Sequence, residues 1–320
     1  MPLDLESLSA QIEAMTQSLS LDLSKDRLQM AREQFLRQDA ARLRTRLDDP
    51  TAHPAWLVGY PLESLTNRYA LPAHHDNFCV VASDGSAIYP DRHSPVRYYL
   101  INAGYAILTY GAQPDAELGN QCQLFYADED VFISPKYQTL PIDGALVAVK
   151  MAVSEMETLV LAAEGVSEAE TVVLRDGTLI VWGLDSPSLS EDVRNRFLGP
   201  YLDALETLRQ RRVPVASYIS FPGSDEIINA LRVGLCPDLH VICARCETLR
   251  DKGEAACAGI VPLEDRRLLT TLLGDGERTG LFMSRQPVVR KFYPDPAQQI
   301  LFFYVIVGGE IGRVELPQWV

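Results

Sequence analysis

Two apolar segments far apart in the chain run into the same short phrase. Phe78-Cys79-Val80-Val81-Ala82-Ser83 leads into Asp84-Gly85-Ser86, and Thr171-Val172-Val173-Leu174-Arg175 leads into Asp176-Gly177-Thr178. Runs this rich in β-branched and apolar residues suit buried strands. The Asp-Gly step lets the backbone turn tightly, so each phrase aims a carboxylate into a crevice at a strand end. Between them Asp143 can cap a helix reaching about Glu164. Strands alternating with helices, with an early antiparallel section, restrict the chain to an α/β fold whose mixed central sheet is covered by helices.

The rest of the chain fits this frame. Residues 5–47 are helical in character, with a break at Ser20-Leu21-Asp22-Leu23-Ser24, a plausible N-cap at Ser24, and Leu28, Phe35, Leu36, Leu43 and Leu47 at helical spacing. This gives an N-terminal helical segment over residues 1–50. After a Pro50–Pro72 linker, strands are expected at Val96–Tyr110 and Gln123–Ile133. The strand that ends at Asp176 is expected to resume through Leu179-Ile180-Val181-Trp182. A helix over Ser190–Arg212, a strand over Val213–Ile219, a helix over Ser224–Val233 and a strand-like tail over Val288–Val314 complete the reading.

The helix between the two phrases supplies a third acid. Glu155 shares its face with Ala148, Met151, Ala152, Leu159 and Ala162, whereas Glu157 shares one with Lys150 and Glu164. A carboxylate on an apolar face must be paired or bound to metal, so Glu155 rather than Glu157 is the candidate ligand. Three converging carboxylates suit hard divalent cations such as Mg2+ or Mn2+. Such ions activate water and offset the charge of a phosphodiester transition state. The chain carries 29 Lys and Arg against 43 Asp and Glu, a net charge of −14. This excludes a broad basic surface that grips nucleic acid by charge alone. The acidic start Met1-Pro2-Leu3-Asp4-Leu5-Glu6 is unlike a signal peptide, and no apolar run approaches the roughly 18 residues of a membrane span, so a cytoplasmic protein is expected.

The residues of both phrases, the helix bearing Glu155, the segment Val215-Ala216-Ser217-Tyr218-Ile219-Ser220-Phe221-Pro222-Gly223-Ser224 and the tail Glu310-Ile311-Gly312-Arg313-Val314-Glu315-Leu316-Pro317-Gln318-Trp319-Val320 together resemble the NurA nuclease family from about residue 75 onward. The resemblance implies an RNase H-like core over residues 51–320 and a manganese-dependent nuclease acting on DNA ends, 5'-3', and on single strands. It also implies a role in double-strand break repair with a HerA-type hexameric helicase-translocase, and a homodimer that encloses DNA. By the same resemblance Asp84, Glu155 and Asp176 are the acidic metal ligands and Tyr218 matches the family's tyrosine motif. The family's C-terminal helix with a catalytic histidine would follow Trp319-Val320. None of His53, His74, His75, His93 and His240 sits in that context, so the alternative is a catalytically reduced interaction subunit of a DNA translocase complex.

Outside this pattern, Cys236, Cys243, Cys246 and Cys257 are spaced C-x6-C-x2-C-x10-C in an insertion at about 234–260. The Cys243/Cys246 spacing is that of zinc and iron–sulfur chelates; the alternative is ordinary buried cysteines, the reading for Cys79 and Cys122. Arg32, Arg37, Arg42, Arg44 and Arg46 form either a solvated helix face or a DNA-touching one. Arg278, in the loop Gly274–Thr279, either contacts phosphate or caps a surface turn. Trp182 and Trp319 read as core residues.

Overall fold

The computed structural model describes residues 5–18, 21–133, 139–166, 170–186 and 189–320. The elements, in chain order, begin with helices α1 (Leu5–Ser18), α2 (Leu21–Arg37) and α3 (Ala40–Leu47). Next come strands β1 (Gly59–Pro61), β2 (Arg68–Ala70), β3 (Phe78–Ile88), β4 (Tyr99–Tyr110) and β5 (Asp115–Phe125), then α4 (Asp128–Val131), β6 (Phe132–Ile133), β7 (Leu140–Pro141) and α5 (Gly144–Glu164). The second half holds β8 (Glu170–Asp176), α6 (Glu191–Gln210), β9 (Val215–Ser220), α7 (Glu226–Leu235), α8 (Glu247–Lys252) and α9 (Asp265–Leu269). It closes with β10 (Glu277–Thr279), β11 (Phe282–Ser284), α10 (Pro287–Phe292), β12 (Ile300–Val307) and β13 (Glu310–Pro317). These form two compact units, one of residues 1–67 with 223–273 and one of residues 68–222 with 274–320.

The larger unit is built on a mixed sheet with the order β11-β12-β13-β9-β8-β3-β4-β5. The hairpins β3–β4–β5 form an antiparallel meander, and β8 and β9 add to β3 in parallel. The order β5-β4-β3-β8-β9 with these directions is the RNase H-like arrangement. The antiparallel hairpin β12–β13 then extends the sheet beside β9. One face is covered by α5 and α6. Cys79 and Val81 of β3, Val173 of β8 and Val215 of β9 pack there against Val147, Val153, Met156 and Leu159 of α5 and Tyr201, Leu205 and Leu208 of α6. Each fully buried side chain of this size contributes about 1.5 to 3 kcal/mol. The start of α5 is fixed by Asp143, whose carboxylate accepts from the Leu146 amide at 2.9 Å.

Three local expectations differ from the structure. Residues 123–133 are not one strand: β5 ends at Phe125, and three consecutive acids start the short α4, where they suit a helix N-terminus. Residues 288–292 lie in α10, which Pro287 opens at its first turn. Leu179, Ile180 and Val181 are buried but form no strand. Their backbone groups are taken by side chains: Tyr201 and Tyr293 hydroxyls donate to the Leu179 carbonyl at 3.0 and 2.9 Å, and the Val181 amide donates to Tyr293 Oη at 3.1 Å. An apolar run satisfied in this way needs no ladder partner.

In the smaller unit Leu21 to Ser24 lie inside α2, so the expected break is not found over 21–24 and Ser24 does not cap the helix, while Ser20 lies outside the described residues. Ala31, Phe35, Leu43 and Leu47 are buried, while Leu36 is exposed.

Candidate active site

Strand register sets the site. Ser83 of β3 lies opposite Arg175 of β8, and Arg175 lies opposite Ser217 of β9, which is in turn opposite Glu315 of β13. One residue further on, Asp84 follows on β3, and Asp176 lies opposite Tyr218. Because side chains alternate across a sheet, two adjacent rows emerge on opposite faces. The row Ser83, Arg175, Ser217, Glu315 is buried against the helices. The row Asp84, Asp176, Tyr218 lines an open cavity of about 460 Å³, together with Gly104, Tyr105 and Gly119 of the neighbouring hairpin.

Asp84 and Asp176 are exposed, and among the described residues neither carboxylate forms a hydrogen bond or ion pair. Gly177, at φ 83°, takes the left-handed backbone that turns the chain directly after Asp176, and its amide donates to the Tyr218 carbonyl at 3.1 Å. The Tyr218 ring lies across Gly312, where any side chain would collide with it.

Glu155 is 3% exposed and Glu157 is exposed, as the helical face requires. Glu155 is held by Arg175: Nε and Nη2 of the guanidinium approach Oε2 at 2.7 and 2.6 Å. Both contacts fall on Oε2. Oε1 lies against β3 at Gly85, where a Cβ would collide with it and with Met151; a glycine is needed there for this close approach. Burial pushes the Glu155 carboxyl up, Arg175 opposes the rise, and Asp84 and Asp176 add to it. The three carboxylates therefore share one field. Among the described residues, however, they are not gathered tightly enough to form a group of three metal donors. As donors, Asp84 and Asp176 are hard oxygens on adjacent strands at one cavity, and they fit a divalent cation.

The buried row was not legible in the sequence as a site. Arg175 Nη1 also donates to the Thr178 carbonyl. Ser83 Oγ and Ser217 Oγ, on either side of Arg175, are buried and make no hydrogen bond among the described residues.

Among the described residues Cys236, Cys243, Cys246 and Cys257 are not gathered as a group of three or more metal donors. Cys236 caps the end of α7, Cys246 Sγ lies 3.3 Å from Thr248 Oγ1, and Cys257 is buried. Burial raises the thiol pKa of Cys236 and of Cys243. Cys79 is buried as expected, but Cys122 is exposed on the edge strand β5.

Two of the five helical arginines are structural. Arg44 donates to the Pro61 and Leu62 carbonyls at 3.2 and 3.4 Å, and Arg46 to those of Cys236 and Asp238 at 2.8 and 2.7 Å. Arg32, Arg37 and Arg42 remain exposed. Arg278 lies over the rings of Tyr69 and Phe303 at 4.3 and 5.2 Å, so it packs rather than projects. Trp319 packs on the core, but Trp182 is 48% exposed.

Among similar solved structures, a crystal structure of NurA is 13% identical, over 77% of this chain and 79% of that one, with a TM-score of 0.39. A crystal structure of NurA with manganese is 15% identical, over 96% and 87%, with a TM-score of 0.36. One of NurA bound to dAMP and manganese is 15% identical, over 77% and 79%, with a TM-score of 0.32. No curated protein matches. The NurA domain model matches residues 79–320, which takes in both acidic phrases, α5 and the β12–β13 hairpin. By that match over most of its length, the chain belongs to the NurA family of nucleases.

Proposed function

We propose that this chain is a divalent-metal-dependent deoxyribonuclease, a phosphodiester hydrolase that processes DNA ends 5'-3' and cuts single strands in double-strand break repair. The observation that carries the reading is the row Asp84, Asp176, Tyr218 across three adjacent strands at one open cavity. Asp84 and Asp176 would hold Mn2+ or Mg2+, and Glu155, which the family reading makes the third acidic ligand, is held by Arg175 on the helix side of the sheet behind them. When bound, the ion supplies an activated water and offsets phosphate charge. Arg175 opposes the rise in the Glu155 pKa that burial causes. Tyr218, at the cavity wall, orients a phosphate oxygen through its hydroxyl.

The family reading also supplies the assembly: a homodimer, working in the cytoplasm with a HerA-type hexameric helicase-translocase on DNA ends and single strands. Support for the dimer lies in α1, which exposes Leu5, Leu8, Ile12 and Met15 at the three- and four-residue spacing of a coiled-coil seam. Arg32, Arg37 and Arg42 offer phosphate contacts on α2 and α3. Among the described residues no helix is long and apolar enough to cross a membrane.

A manganese-dependent cleavage assay on single-stranded DNA tests the reading. Wild type should cut, and Asp84→Asn and Asp176→Asn should not. DNA binding without any cleavage by wild type would favour the interaction-subunit reading, in which the acids persist without turnover.

A further inference from the structure

Glu315 is a carboxylate only 1% exposed, and both of its oxygens are occupied. Oε1 accepts from Arg313 Nε at 3.0 Å and faces Nη2 at 2.9 Å. Oε2 accepts from the Thr178 hydroxyl at 2.7 Å and from the Leu179 amide at 2.9 Å. Arg313 itself lies flat over the Phe302 ring at 3.8 Å. The two donors on Oε2 belong to the residues that directly follow the Asp176-Gly177 turn. Thr178 is thus gripped twice, at its hydroxyl by Glu315 and at its carbonyl by Arg175, and its hydroxyl in turn accepts from the Ile180 amide at 3.0 Å.

Stability alone does not account for these charges. A well-packed apolar cluster would hold a buried position at least as firmly as an ion pair. What the pair provides is direction, since a charged acceptor with both oxygens saturated fixes the donors that reach it. The near side of the turn is tied to β9, where Asp176 pairs with Tyr218 and the Gly177 amide donates to the Tyr218 carbonyl; Glu315 holds its far side, past the left-handed Gly177 at φ 83°. A metal site requires its ligands held to within about 0.5 Å, so both sides of the turn bear on where the Asp176 carboxylate points.

We propose that Glu315 is a positioning residue for the acidic site: through Thr178 and the Leu179 amide it fixes the turn after Asp176, and so sets the affinity of that carboxylate for a divalent cation. The inference rests on Asp176 being a metal ligand, and the experiment separates the two.

Mn2+ binding to the full chain is measured by electron paramagnetic resonance, alongside thermal unfolding, for wild type, Asp176→Asn, Thr178→Val, Thr178→Ser, Glu315→Gln and Leu205→Ala. Leu205 is a fully buried α6 residue outside the polar network and serves as a control for destabilisation alone. Thr178→Val keeps the shape and removes the hydroxyl, so it tests the contact even where Glu315→Gln folds poorly. Thr178→Val and Glu315→Gln should weaken Mn2+ binding by about tenfold or more, as loss of an outer-shell partner does, while Thr178→Ser stays within about twofold of wild type. Leu205→Ala should lower the melting temperature and leave Mn2+ affinity unchanged. If Thr178→Val and Glu315→Gln lower the melting temperature but bind Mn2+ like wild type, Glu315 is merely structural and the proposal falls. If Asp176→Asn binds Mn2+ as wild type does, the metal-ligand reading itself falls, whatever the other variants show.

Discussion

Replacing Arg175 with Met isolates the buried ion pair behind the acidic row. Arg175 and Glu155 are both almost fully enclosed, with side chains 9% and 4% exposed and a closest approach of 2.6 Å. Removing one partner of such a pair leaves an uncompensated charge and costs about 3 to 5 kcal/mol. The lost contact to the Thr178 carbonyl adds roughly 1 kcal/mol. Protonation offers Glu155 an escape. Burial already raises its pKa, and without Arg175 to oppose that rise it climbs further. A carboxyl whose pKa is higher folded than unfolded contributes stability that is complete below the unfolded value and is lost as pH rises through the folded one. The deficit of Arg175→Met should therefore be largest at pH 7 to 8 and fade toward pH 5, and Arg175→Met with Glu155→Met should recover much of it. Urea unfolding followed by circular dichroism at several pH values measures this, with an unchanged slope showing that the folded state is preserved. A deficit under about 1 kcal/mol, or one independent of pH, would refute the claim that Arg175 offsets the burial of Glu155.

Three further outcomes follow from other parts of the molecule. Manganese should raise the melting temperature of wild type, since a ligand that binds only the folded state stabilises it, and Asp84→Asn should abolish the rise. Deleting residues 1–18 removes the exposed seam of α1, so light scattering should then report a monomer where the full chain is a dimer. Asp49 is held at a pKa of about 2, first by its hydrogen bond to His240 and then by Thr51. A lowered carboxyl pKa gives stability present above the unfolded value and lost as pH falls toward the folded one. Asp49→Asn should accordingly flatten the fall of melting temperature between pH 4 and about 2, and an acid limb identical to that of wild type would count against the pair.

Legibility of the fold follows the range of the forces involved. The strands β3 and β8, their Asp-Gly ends and the inward face of α5 were readable because periodicity and capping act within a few residues. Glu155 came out on the correct face for that reason. Leu179 to Val181 were misread because an apolar run looks the same whether its backbone is met by a ladder or by side chains, and Tyr201, Tyr293 and Glu315 reach it from distant segments. Short cysteine spacing permits chelation without enforcing the backbone path that brings four thiols together, so the sequence alone does not separate a chelate from ordinary buried cysteines.

β13 shows why the supporting half of the site stayed hidden. Along Arg313-Val314-Glu315-Leu316 the usual order of apolar inward and charged outward is inverted, since Arg313 and Glu315 are the buried ones. The pattern inverts because the charges satisfy one another: Glu155 pairs with Arg175, and Glu315 with Arg313. Such inversions of a local rule are expected at functional sites rather than in an ordinary core. Each of these pairs is neutral, so the buried row adds no net charge to the open row on the other face. Asp84 and Asp176 stand exposed at the cavity with no hydrogen-bond or ion-pair partner among the described residues, on a chain already at −14. A phosphodiester could approach that wall only once the charge had been offset locally. Buried, mutually paired charges behind two exposed carboxylates are the arrangement that the proposed cation site requires.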